Sequence, residues 1–265
     1  MRNMVAPLLY NEITKASRTK LPYFGIIAAA IICVLTFVVT KAIASQETLN
    51  GWGYASLSMQ WVFSDIGLIF VAVFSAMLIA EETSSGTART VLSAPVSRWE
   101  FYLAKVLTGL IYAMLVSIAS LIMSVFLGSL HYQFGDIADS AGLVYAKREV
   151  LANFLIAFFL SWLPLASTVL YGIFISTIVR KTGQAVAVAI GTIYLIDFTK
   201  HFIGIDSYVF TRYLGFSWGI FHQVAQGVDY QWLPGTWRMV AVSLVYCFVA
   251  FTLGLAIFAR RDFNG

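Results

Sequence analysis

The chain has 265 residues, of which 60% are hydrophobic and 11% charged, with a mean hydropathy of +0.82 and a net charge of +4. A water-soluble domain is usually about 45–50% apolar and about 25% charged, and a soluble fold this apolar would keep a greasy exterior. Those numbers exclude a soluble domain, and without a Lys/Arg cluster on a soluble surface they also argue against a nucleic-acid partner. A bilayer removes the difficulty, so residues 1–265 are read as one all-α, polytopic transmembrane domain.

In residues 1–20, Val5, Leu8, Leu9, Ile13 and Ala16 recur at helical spacing, with Asn11, Glu12, Lys15 and Arg18 around the other side. Pro7 suits a first helical turn, where its missing N–H costs little. The expectation is an amphipathic helix lying along the cytosolic headgroups. Leu8, Leu9 and Ile13 would sit in the acyl boundary, and Lys15 and Arg18 over anionic lipid. A spanning helix needs about 20 largely apolar residues to cross about 30 Å of hydrocarbon. Six are predicted, near residues 21–39, 66–80, 103–127, 151–179, 185–198 and 240–259, the second starting as early as Trp61. Ala42-Ile43-Ala44 resembles a signal cleavage site. The apolar run before it is longer than the usual 7–15 residues, so it is read as a retained span. Pro164 is expected to kink the fourth span. Cys33 and Cys247 lie inside apolar runs and read as buried thiols rather than a disulfide or metal site.

Orientation follows from the cations. With the N-terminus in the cytosol, the inner segments hold eleven of the 17 Lys and Arg, and the outer segments six. The outer segments also carry offsetting acids, among them Glu47, Asp136, Asp139, Glu149, Asp206 and Asp229. Six spans with both termini in the cytosol of a plasma (bacterial inner) membrane satisfy that balance. Two segments then face outward. Residues 204–239 are aromatic and interrupted, which predicts short interfacial or re-entrant helices, their rings forming an interfacial belt. Residues 128–150 form a more polar loop.

Catalytic patterns are missing. There is no H-E-x-x-H and no G-x-S-x-G, and His131, His201 and His222 are not spaced as metal ligands. Asp197, with Lys200 and His201 three and four residues on, is a possible intramembrane polar cluster. Charges at membrane depth are costly and often functional, although at a helix end they also pair locally and snorkel.

Between the second and third spans lies the stretch 81–102, predicted to be cytosolic. Ala88, Val91 and Leu92 share one helical face, Pro95 stops that element, and Ser97 followed by Glu100 forms a capping box that starts the third span. A short helix, a sharp turn and a capped spanning helix can transmit a push from a cytosolic partner. The spaced set Glu82, Gly86, Thr87, Leu92, Pro95, Val96, Arg98 and Lys105 resembles the cytosolic signature of type-2 ABC exporter permeases. The layout is similar over the whole chain, including the N-terminal helix, the six spans, the aromatic helices before the last span and the Arg260-Arg261-Asp262 ending.

The resemblance implies a permease that pairs with a second permease copy and docks two ABC ATPase subunits. Glu82, Gly86, Thr87, Arg89, Leu92, Pro95 and Arg98 would lie on the coupling surface, together with the N-terminal helix. An extracytoplasmic protein is a further possible partner of the outer segments. No G-x-x-x-x-G-K-[S/T] phosphate loop occurs, so ATP and Mg belong to the partner chain and this chain carries no cofactor. Two other classes also fit a polytopic chain: a membrane anchor of a larger assembly, and an ion-gradient-driven transporter. The latter favours inverted repeats and broken midplane helices.

Overall fold

The computed structural model describes residues 4–43, 49–64, 66–87, 96–139, 142–228 and 232–261. Its helices are α1 (Val5–Arg18), α2 (Leu21–Ile43), α3 (Gly51–Ser64), α4 (Ile66–Ser84), α5 (Arg98–Ser129), α6 (Lys147–Ile178), α7 (Thr182–Ile203), α8 (Phe216–Ala225) and α9 (Leu233–Arg260). Six helical stretches are long and apolar enough to cross a membrane: α2, α3 with α4, α5, α6, α7 and α9. The all-α polytopic fold read from the sequence is the one observed.

The second span is longer than the predicted 66–80, because α3 extends it to Gly51, at the end away from α1. Hydropathy detects helices that face lipid, and α3 faces protein. Trp52, Tyr54, Ala55, Met59, Val62 and Phe63 are buried, and so are its small polar residues Ser56 and Ser58. A Cβ on Gly51 would lie 2.7 Å from the Phe134 ring, so only glycine lets α3 approach the loop after α5. By contrast α2, α7 and α9 leave long apolar rows uncovered, among them Phe24, Ile27, Ile31 and Leu35 on α2 and Leu244, Val245 and Phe248 on α9. Lipid or another copy of the chain can cover those rows.

At the start of α5 the predicted capping box is present. Ser97 Oγ accepts from the Glu100 N–H at 3.3 Å, and the Ser97 N–H donates to Glu100 Oε2 at 3.1 Å. Helix α6 runs through Pro164 as one 32-residue helix, and Thr168 Oγ1 donates to the Pro164 carbonyl at 3.3 Å. It packs closely on α4 along a small-residue seam. A Cβ at Gly172 would lie 2.7 Å from Ser75 Cβ and 3.2 Å from the Ala72 carbonyl oxygen. One turn on, Ser176 Oγ accepts from the Ile79 and Ala80 N–H groups at 3.0 and 2.7 Å. Gly172→Ala should therefore destabilise the bundle by about 1–3 kcal/mol through overpacking. Gly191→Ala on α7, whose Cβ meets nothing within 4 Å, should be near neutral. Thermal unfolding of the two variants in nanodiscs checks the contrast.

Two differences appear at the end of the bundle away from α1. Part of the 128–150 loop folds as an antiparallel hairpin, β1 (Ile137–Asp139) with β2 (Gly142–Tyr145), pairing Ile137 with Tyr145 and Asp139 with Gly142. Asp136 Oδ1 then accepts the Lys147 N–H at 2.6 Å and so caps α6. In the 204–239 segment the predicted short helices are present as α8 and two 3₁₀ turns (Asp206–Tyr208 and Phe210–Tyr213). Several of the described rings face the core, however. Phe210, Tyr213, Trp218 and Phe221 are buried, and Trp218 and Phe221 pack against Phe154 on α6, while Tyr208 and Trp237 stay exposed. The segment closes over α3 and α6, so the apolar part of its aromatics goes to the core.

Candidate functional site

At the α1 end, three elements meet around one buried ammonium. Helix α1 lies against α5 and the end of α4. It is amphipathic as expected, with Leu8 and Leu9 half-buried, Ile13 40% exposed and Arg18 exposed. The sequence reading put Glu12 on its polar side. The structure turns Glu12 inward, and it is the one buried residue among those described for α1. Lys105, on the second turn of α5, is 1% exposed. Its Nζ donates to Glu12 Oε2 at 2.6 Å and to Glu82 Oε1 at 2.5 Å. Glu82, at the end of α4, is buried too, and its Oε1 also accepts from Lys15 Nζ at 3.2 Å. Glu82 Oε2 is buried with no hydrogen-bond partner among the described residues. Lys105 Nζ lies 5.2 Å from the Phe101 ring centroid, which gives the cation an aromatic wall.

Burying a charge is expensive unless it is paired and hydrogen-bonded. Here the pairs join α1, α4 and α5, so the network holds only while those elements keep one arrangement. Two carboxylates share a single fully buried ammonium. Burial pushes the Glu12 carboxyl above the usual carboxylate range, against the opposing pull of Lys105. A carboxyl raised in the folded state holds its proton longer there than in the unfolded chain. Its stabilising contribution is therefore complete below the ordinary carboxylate pKa and is lost as pH rises through the folded value. Stability of the α1 attachment should thus increase on acidification toward pH ~4.5, and Glu12→Gln should flatten that dependence in a thermal-unfolding pH series.

The surrounding signature residues are placed by the same end of the bundle. Gly86 has φ +75, the left-handed conformation that ends α4 without a Cβ penalty. Ser85 Oγ and Thr87 Oγ1 lie 2.9 Å apart, and Ser84 Oγ lies 2.9 Å from Thr182 Oγ1 at the start of α7. Glu100 accepts the Met4 N–H at 3.0 Å and so fixes the entry to α1. Arg98 Nη1 donates to the Ala259 and Arg261 carbonyls at 2.6 and 2.8 Å, satisfying the open C-terminus of α9. Arg261 in turn donates to the Thr177 carbonyl at the end of α6 at 2.8 Å. Glu82, Arg98 and Lys105 therefore stitch together the ends of the helices around them, while Gly86 and Thr87 shape the end of α4 locally. Arg89, Leu92 and Pro95 lie outside the described residues.

The other predicted cluster lies at the opposite end. Lys200 Nζ donates to Asp197 Oδ1 at 2.5 Å and lies 3.9 Å from Asp206 Oδ1. Asp206, which the sequence did not single out, also pairs with Arg212 and sits 3.5 Å from His201 Nδ1. His222 Nδ1 is 2.7 Å from Ser56 Oγ and Nε2 is 3.0 Å from Gln226 Nε2, so this ring ties α8 to α3. Cys33 is buried and Cys247 partly so, both as free thiols. Among the described residues, no three His, Cys, Asp or Glu side chains gather in a way that could hold a metal ion.

A family model described as ABC-2 family transporter protein matches residues 8–197, which takes in α1 through most of α7 and the whole Glu12–Lys105–Glu82 network. The chain is also 29% identical over 153 residues to the probable multidrug ABC transporter permease YbhS of Escherichia coli, in strains K12 and O157:H7. That alignment covers 56% of this chain and 36% of the relative, so the chain matches little more than a third of the length of those curated proteins. With a family match over most of its length and six helices long and apolar enough to cross a membrane, the chain belongs to the ABC-2 family of transporter proteins.

Proposed function

We propose that the chain is the membrane-spanning subunit of an ATP-driven exporter. It would pair with a second permease copy and two ABC ATPase subunits, with both termini in the cytosol of a bacterial inner membrane. The observation that carries this reading is the buried Glu12–Lys105–Glu82 network with Lys15 at its rim. It joins the interfacial helix, the helix leading into residues 81–102 and the start of α5 into one unit. A push on residues 81–102 then moves α4, α5 and α1 together. ATP-driven closure of the ATPase pair would bias the spans between inward- and outward-facing states through their different fit to the closed pair. The uncovered rows of α2, α7 and α9 supply apolar surface for lipid and for the second copy.

Sidedness is tested by labelling with an impermeant thiol reagent in a Cys33→Ala/Cys247→Ala background. Tyr208→Cys, at a position 74% exposed at the end opposite α1, should react from outside the cell. Ser84→Cys should react only after permeabilisation. Labelling of Ser84→Cys from outside would invert the topology and remove the ATPase docking site.

A further inference from the structure

A cavity of about 470 Å³ opens at the end of the bundle opposite α1, between α3, α7, the second 3₁₀ turn and α8. Its size falls within the range of about 300–1,000 Å³ typical of small-ligand sites. Its walls are unusually polar for a membrane protein. Gln60 and Ser64 come from α3, Thr211 from the 3₁₀ turn and Gln223 from α8. The Thr211 hydroxyl is buried with no hydrogen-bond partner among the described residues, while Gln60 and Ser64 are half-buried and Gln223 is exposed. A buried polar group is normally satisfied, so an unpartnered hydroxyl on a cavity that other amides and hydroxyls also line points to a ligand that supplies its partner.

The charges narrow the class. Lys200 and Arg212 line the cavity, and each is already paired, Lys200 with Asp197 and Arg212 with Asp206. Each cation is offset by its own carboxylate, Asp206 from outside the lining, so neither presents an unpaired charge to hold an ion. Amides and hydroxyls both donate and accept, as sugar hydroxyls do, and Lys200, nearly fully buried, has donors left after its bond to Asp197. Phe216 adds an aromatic wall against which the C–H face of a sugar ring can pack. Phe198, Phe202 and Ile203 on α7, near the lining residues Asp197 and Lys200 in the chain, are exposed and offer apolar surface to lipid.

We propose that this cavity binds a neutral, hydroxyl-rich group, the sugar of a glycolipid headgroup or a free saccharide. The site is separate from the α1-end network, and its test uses the permease alone, so it stands or falls independently of the exporter reading.

Gly219 on α8 provides the decisive variant. A Cβ there has only Gln60 Nε2 within 4 Å, at 3.9 Å, so a side chain can start from this position without a backbone clash, and Gly219→Leu narrows the cavity while improving helix propensity. The permease is placed in phosphatidylcholine nanodiscs with and without monoglucosyl-diacylglycerol, and separately with phosphatidylglycerol or with soluble maltose, and thermal unfolding is followed. The glucolipid should raise the midpoint of the parent, because a ligand bound to the folded state stabilises it. The rise should disappear in Gly219→Leu and in Gln60→Leu, while Gly219→Leu in phosphatidylcholine alone unfolds no lower than the parent. A rise with maltose as well assigns the free saccharide, and a rise with the glucolipid alone assigns the lipid headgroup. No shift with either sugar probe, a shift that persists in Gly219→Leu, or a larger shift with phosphatidylglycerol would overturn the proposal. If Gly219→Leu does not fold, the Gln60→Leu comparison decides by the same criteria.

Discussion

Lys105→Met is expected to be the most damaging single substitution at the α1 end. It leaves Glu12 and Glu82 buried opposite one another without the ammonium that both contact, at 2.6 and 2.5 Å. Removing one partner of a buried ion pair costs about 3–5 kcal/mol, because the remaining charge keeps its desolvation penalty. The loss should appear as a lowered unfolding midpoint in nanodiscs and as protease cleavage within α1, which loses the contact that turns Glu12 inward. Lys15→Met is the matching control. Lys15 touches Glu82 at 3.2 Å, but its side chain is 41% exposed, so its removal should cost no more than about 1 kcal/mol. If both variants unfold alike, Lys105 is not the centre of the network.

The second large effect separates stability from coupling. Replacing a buried ion set by apolar side chains of similar volume is often neutral or stabilising. Glu12→Leu/Glu82→Leu/Lys105→Met should therefore recover most of the stability that Lys105→Met loses. An apolar cluster tolerates small slippage that directional ion pairs do not, so the unit joining residues 81–102 to α1 and α5 would no longer move as one. Permease-stimulated hydrolysis by the partner ATPase should fall at least about tenfold, equivalent to ~1.4 kcal/mol of lost coupling. A triple variant that is stable and fully stimulating would reduce the network to a scaffold.

Much of this architecture can be read in the sequence, and the misreadings have identifiable causes. The Ser97/Glu100 box is local chemistry, so it appears in the structure where the residues place it. The glycines and serines of helix α3 lower its hydropathy, yet those small residues are what allow most of it to be buried. Glu12 was assigned to the wrong face because its polarity was given more weight than its spacing. It follows Leu8 by four residues and Leu9 by three, so it belongs to the stripe that packs inward. A lysine two turns into an apolar span calls for a buried acid, and reading Lys105 in that way would have pointed to Glu12 and Glu82. The hairpin at 137–145 is too short to leave a periodic pattern. The polar cavity arises from tertiary convergence, since Gln60 and Ser64 on α3 lie far along the chain from Lys200, Thr211 and Gln223.

The central claim is that this permease supplies the moving membrane part and a separate chain supplies ATP hydrolysis. The most direct test is the ATP hydrolysis rate of the purified protein in nanodiscs, measured alone and after addition of the ABC ATPase proposed as its partner. The chain alone should hydrolyse no ATP. With the partner, hydrolysis should exceed that of the ATPase by itself, and Lys105→Met should abolish the excess. Hydrolysis by the chain alone, or an ATPase whose rate is the same with and without it, would contradict the account.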